Sequence, residues 1–305
     1  SSSSSSSFTP PVIFRTGQNA GVGAMLYSGE KLIFAASASI HTLSLKSGRS
    51  TGHISNSGHS SNITALASTN TLLASAAGDR CIRVFQWDTM QCARVTAKRN
   101  GHTLAVTGVD FLPSGTEFVS SGEEGVCKIW NAELGQCVSS FNGGSSRVGS
   151  IFRMKLSESS SSSSSSSVSG TCFFTAGTAD SDSAEGSGVV ALWDTRCSGG
   201  VVQRVPTAAS LFALDIDRNT DIIATGDAAG GVSLFDTRCF SASRRVSVPV
   251  PAVVQNGGVR ACQPVTQIQI HKDKLLLCQA NAFSIFHVCS TSMNASSSFS
   301  SSSSS

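Results

Sequence analysis

Residues 101–138 read GHTLAVTGVDFLPSGTEFVSSGEEGVCKIWNAELGQCV. After Gly101-His102, the alternation over Thr107–Phe111 predicts a strand, Pro113-Ser114-Gly115 a turn, and Glu117–Ser121 a second strand. The Gly122–Gly125 turn leads to a third strand, Val126–Trp130, and Gly135-Gln136-Cys137-Val138 opens a fourth. Four strands and three tight turns fill one unit. No 3.6-residue apolar period extends beyond a turn or two anywhere in the chain, which predicts an all-β protein.

The unit recurs. Upstream, Gly58-His59 precedes Ile63–Ala67, Leu72–Ala76, Gly78-Asp79 and Cys81–Phe85; downstream come Leu211–Ile216, Ile222–Gly226, Gly230-Gly231 and Val232–Phe235. The residues closing the third strands are Leu43, Phe85, Trp130, Trp193, Phe235 and Phe286, spaced by 42, 45, 63, 42 and 51 residues. The longest interval holds the Ser159–Ser167 run, whose removal with its polar flanks brings it near the others. A 42- to 45-residue period marks a repeat architecture in which each unit buries its faces against its neighbours.

Gly-His, a serine-bearing second strand, an acidic turn and a closing Trp-Asp or Trp-Asn resemble the WD-repeat β-propeller family over roughly residues 21–290. The resemblance implies a buried set of hydrogen-bonded side chains in each blade: His102, Ser120, Glu124 and Trp130 in one, and His59, Ser75 and Asp79 in the preceding one, with Phe85 at the Trp position. Glu replaces the family's Asp in the first set and Phe its Trp in the second, so neither set is expected to be complete. Six repeats are visible, and Val12–Phe14 could supply the outer strand of the last blade. A degenerate seventh could lie in Arg244–Arg260 with the N-terminal segment, so six or seven blades of four antiparallel strands remain open.

Of the 305 residues only 13% are charged, about half of the ~25% usual in a soluble domain, and serine makes up the difference. The serine runs cannot bury apolar surface, so residues 1–7 and 291–305 are expected to be disordered tails. Residues 8–290 then form one propeller domain with a disordered insertion at 157–169. A net charge of +3 is too small for the field of a dedicated nucleic-acid binder, and a direct nucleic-acid partner is not expected. The N-terminal residues show no basic region and apolar core of a signal peptide, and no apolar run reaches about 18 residues, so the expectation is a soluble cytoplasmic or nuclear protein without a membrane partner. The ten cysteines are scattered with no Cys-x-x-Cys and should mostly be buried, reduced thiols.

Catalytic motifs are sparse. Gly48-Arg49-Ser50-Thr51-Gly52 has Gly-x-Ser-x-Gly spacing but lies in a turn between short strands, not between a strand and a helix. The Asp180–Gly186 loop has Ala191 where a calcium loop needs its twelfth-position Glu. No phosphate loop or zinc-type Cys/His spacing occurs, so no catalytic residue, cofactor or metal site is expected.

The interaction candidates are two repeat ends, Asp194-Thr195-Arg196 and Asp236-Thr237-Arg238, whose arginines could offer a planar donor fork to a partner. In WD-repeat substrate receptors of cullin-RING ubiquitin ligases a similar Trp-Asp-x-Arg ending docks the adaptor; the plainer reading is that each Asp-x-Arg stabilises its own turn. Arg244-Arg245-Val246-Ser247 resembles a basophilic kinase site, with Ser247 as acceptor. The function these residues imply is a non-catalytic scaffold in a multiprotein complex. A ubiquitin-ligase substrate receptor and an RNA-associated propeller in ribonucleoprotein assembly are the alternatives.

Overall fold

A computed structural model of the chain describes residues 22–55, 57–96, 99–142, 148–157, 172–180, 187–197, 199–217, 220–241, 246–248, 254–255, 258–259, 263–271, 274–279, 282–287 and 301–302. Successive antiparallel hairpins build each sheet. The first contains β1 (Val22–Ser28), β2 (Lys31–Ala36), β3 (Ser39–Ser44) and β4 (Ser50–Ile54), and the second β5 (Ile63–Ser68), β6 (Leu72–Ala77), β7 (Ile82–Gln86) and β8 (Cys92–Val95). The third is the 101–138 stretch: β9 (Val106–Phe111), β10 (Glu117–Gly122), β11 (Cys127–Asn131) and β12 (Cys137–Phe141). The fourth has β13 (Val148–Ser157), β14 (Cys172–Ala179), β15 (Gly188–Asp194) and β16 (Val201–Thr207). The fifth has β17 (Leu211–Asp217), β18 (Ile222–Asp227), β19 (Val232–Asp236) and β20 (Val246–Val248). After a small hairpin, β21 (Val254–Gln255) with β22 (Gly258–Val259), the sixth contains β23 (Val265–His271), β24 (Lys274–Gln279), β25 (Ala282–His287) and β26 (Ser301–Ser302).

This is an all-β propeller with six four-stranded sheets among the described residues. The first strands β1, β5, β9, β13, β17 and β23 line a central channel and pack on one another in chain order. Among the described residues the junction from β23 back to β1 lacks the packing seen at the other five. On the face of β1 away from the second sheet, Met25 and Tyr27 are 58% and 65% exposed.

The marker residues explain the repeat. Leu43, Phe85, Trp130, Trp193, Phe235 and Phe286 each lie on a third strand opposite an apolar residue of the second: Leu32, Leu73, Phe118, Phe173, Ile223 and Leu275. The first five markers are buried, each contributing roughly 1.5–3 kcal/mol by removal from water. The middle strands of a blade are covered on both faces. β6 (LLASAA) and β18 (IIATGD) are accordingly short runs of apolar and small residues instead of alternating ones. The outer strands β8 and β16 are largely exposed.

Ser157 pairs with Cys172, so the serine run lengthens the connection between β13 and β14, which accounts for the 63-residue interval. Apart from Ser157 and the paired Ser301–Ser302, residues 1–7, the 157–169 insertion except its Ser157 end, and 291–305 lie outside the described residues, as do Val12–Phe14. Of the segment considered for a seventh blade, the described part is only β20 and the β21–β22 hairpin.

One expectation needs correction. The eight described cysteines are free thiols, but only Cys127 is buried; Cys92, Cys197 and Cys239 are exposed and the other four intermediate. Cys92, Cys197 and Cys239 follow third strands, on outer strands or turns where neither face is covered. No helix among the described residues is long and apolar enough to cross a membrane.

Candidate functional site

In the third sheet the side chains of four elements meet. His102 precedes β9, Ser120 lies on β10, Glu124 in the β10–β11 turn and Trp130 on β11. The Trp130 indole donates to Ser120 Oγ at 2.8 Å, and Ser120 Oγ lies 2.7 Å from His102 Nε2. His102 Nδ1 bonds Glu124, whose second oxygen accepts the Leu104 N–H at 3.0 Å. With the indole able only to donate, one proton order satisfies every member: indole to hydroxyl, hydroxyl to Nε2, Nδ1–H to carboxylate. Glutamate does not interrupt this set, because the turn places its longer side chain within reach. Burial opposes ionisation of Glu124, but the His102 bond and the Leu104 amide outweigh it and hold its pKa below the usual value.

The second sheet repeats the arrangement without an indole. His59 Nε2 is 2.8 Å from Ser75 Oγ, and Nδ1 is 3.0 and 3.1 Å from the Asp79 oxygens. Asp79 also accepts the N–H groups of Ser60 and Cys81. These bonds overcome the burial that would raise its pKa and lower it, whereas burial lowers that of His59. The fourth sheet has a shorter version missed in the sequence: Trp193 donates to Thr175 Oγ1 at 2.8 Å. Two tryptophans with a hydroxyl residue ten and eighteen positions before them were the available signal. All three sets are buried and serve the blades.

In the first five sheets the meander places the turn after the third strand on one rim. Five consecutive sheets present Leu45, Trp87, Leu134, Arg196 and Arg238 there, with Leu45 and Leu134 51% and 62% exposed. Lys31 sits over the Trp87 ring at 5.3 Å. Arg196 folds back on Asp194, with Nε 3.0 Å from Oδ1 and Nη2 2.6 Å from Oδ2. Arg238 is held more loosely by Asp236, at 3.3 and 3.5 Å, and lies 3.8 Å from Asp221. These pairs lower the pKa of Asp194 and raise those of both arginines, chiefly through the hydrogen bonds. Both guanidinium side chains remain more than half exposed. Ser247 lies on β20, and Arg244 and Arg245 lie outside the described residues.

The central channel, of about 1210 Å³, is lined by all six first strands and includes the ionisable side chains Asp110, Glu133, Arg153, Lys155 and Asp215. Lys155 pairs with Asp215 at 3.4 Å, and Asp215 also accepts the Ile270 N–H at 3.0 Å. The sequence reading passed over Arg153 and Lys155, although their alternation with Met154 and Leu156 on a strand was visible. No group of three or more His, Cys, Asp or Glu side chains suited to a metal occurs among the described residues.

Residues 50–86 and 93–131 match the sequence profile of the family described as WD domain, G-beta repeat. Each match runs from the outer strand of one sheet through the first three strands of the next, so the sequence repeat is offset from the sheet and links neighbours. No curated protein matches the chain. A solved structure of U3-55K superposes with a TM-score of 0.68 at 16% identity, over 89% of this chain and 78% of that one. At that identity the likeness is one of fold.

Proposed function

Because the chain is a WD-repeat β-propeller, we propose that it is a non-catalytic protein-interaction scaffold, a subunit of a multiprotein complex in the cytoplasm, the nucleus or both. The rim formed by Leu45, Trp87, Leu134, Arg196 and Arg238 carries this reading. Exposed leucine and arginine side chains on rigid turns, beside the half-buried Trp87, have the composition of interaction hot spots. The histidines suited to proton transfer, His59 and His102, are engaged within their blades.

The test is affinity purification from the native cell followed by mass spectrometry, with Leu45→Asp/Leu134→Asp as the rim variant. Stoichiometric partners that are lost from a still-folded variant support the scaffold and its rim. Recovery of the wild-type protein alone overturns the reading.

A second reading, a substrate receptor of a cullin-RING ubiquitin ligase, is favoured by Arg196 and Arg238 on the same rim of adjacent sheets. It predicts that Arg196→Ala/Arg238→Ala releases a ligase adaptor while leaving the fold intact. Unchanged partners with the double variant reject it and leave the arginines as clasps of their own turns.

A further inference from the structure

The charged groups of the central channel are unequally partnered. Lys155 and Asp215 neutralise each other, and the Asp110 carboxylate accepts the N–H of Phe111 at 3.1 Å. Arg153 is different. It is half-buried on β13, one of its five N–H donors bonds the Phe152 carbonyl at 2.8 Å, and no carboxylate partners it among the described residues. Burial lowers its pKa with nothing opposing it. A partly desolvated cation without a counter-charge keeps an unmet preference for an anion.

We propose that Arg153 anchors a binding site in the central channel for an acidic side chain of an extended peptide segment. This rests on the scaffold reading and specifies what its channel would take. Three features select the ligand. The guanidinium is a flat fork that matches a carboxylate through two parallel hydrogen bonds. The channel lining has two cations against three carboxylates, and with Lys155 spent on Asp215 the remainder is net negative, so it repels a polyphosphate or a nucleic-acid backbone and leaves the Arg153 fork as the one place where a single carboxylate is matched. Its volume of about 1210 Å³ exceeds the usual ~300–1,000 Å³ of small-molecule pockets, and Leu26, Leu66, Leu214 and Ile216 add apolar wall that suits a chain segment.

The experiment uses the full chain and two pools of labelled, end-blocked nonapeptides, one with Asp or Glu at the centre and the other with Asn or Gln, the remaining positions drawn from Ala, Leu, Ser and Gly. The wild-type protein retains the acidic pool at least about tenfold better than the amide pool, a difference suited to one charge-assisted pair. Arg153→Gln abolishes the difference. Arg153→Lys, which keeps the charge without the fork, retains part of it and decides the matter if Arg153→Gln does not fold. Equal retention of the pools by wild type overturns the proposal, as does undiminished discrimination by Arg153→Lys or by a folded Arg153→Gln. A uridine 20-mer that binds through Arg153 while the peptides do not also overturns it. If the pools are not distinguished but stoichiometric partners still co-purify, the channel site fails and the scaffold stands.

Discussion

Trp130 and His102 meet on one atom: Ser120 Oγ accepts the indole N–H at 2.8 Å and lies 2.7 Å from His102 Nε2. The hydroxyl thus serves two buried partners in the third sheet, while Ser75 in the second serves only His59 because Phe85 has no donor. Ser120→Ala therefore leaves two buried groups unpaired and Ser75→Ala one. At about 1–3 kcal/mol for each unsatisfied group, Ser120→Ala should be clearly the more destabilising in urea unfolding. Equal losses would show that the indole bond contributes nothing.

Neighbouring sheets are also tied by hydroxyls. Thr64 Oγ1 donates to the Val106 carbonyl, and Thr107 Oγ1 to that of Ile151 at 2.7 Å. Thr107→Val keeps the shape and deletes the bond, so a loss of about 1–2 kcal/mol is expected. Faster amide exchange of β13 than of β10 should accompany it, because the deleted bond joins sheets and not strands within one.

Gly125 has φ +76°, and a Cβ there would run into the Val148 carbonyl of the next sheet. Gly125→Ala combines a left-handed backbone with an inter-sheet clash and should cost about 2–4 kcal/mol. Gly29, with φ +59° but open space around its Cβ position, isolates the backbone part: Gly29→Ala should cost roughly 1 kcal/mol. Comparable losses in thermal unfolding would refute the clash.

Burial lowers the pKa of His59 and of His41, the latter also through His53. The unfolded chain, titrating near the ordinary 6.5, binds these protons more readily than the fold does. Their contribution is complete above about 6.5 and is lost as pH falls below it. Asp79, Glu124 and Asp194 act in the same direction at lower pH, since their lowered pKa values favour the fold above roughly 4 and the contribution disappears as they protonate. The unfolding midpoint should decline from pH 7 to 5 and again below 4. His41→Gln should make the first decline shallower.

Cys127 is fully enclosed and burial raises its thiol pKa well above normal. Iodoacetamide should modify Cys92, Cys197 and Cys239 in the native protein and reach Cys127 only on unfolding, as read by peptide mass spectrometry. Early labelling of Cys127 would mean that the third sheet opens locally.

Much of this protein is written locally. Strand alternation, Gly and Pro turns and one large apolar residue per third strand specify four-stranded units, since each depends on neighbours a few residues away and on faces that must leave water. His59, Ser75 and Asp79, and His102, Ser120, Glu124 and Trp130, were legible because the resemblance to WD repeats implies such a set at these positions. Their connectivity was only partly legible: the reach of Glu124 to His102 depends on the conformation of the β10–β11 turn, which residue type alone does not reveal. What tertiary structure decided is what stands opposite each side chain across the ring. Thr107 meets Ile151, Lys155 meets Asp215 and Arg153 meets no carboxylate among the described residues because sheets distant in sequence converge on one axis, where the interaction of two charges depends on separation and desolvation, neither of which has a sequence period.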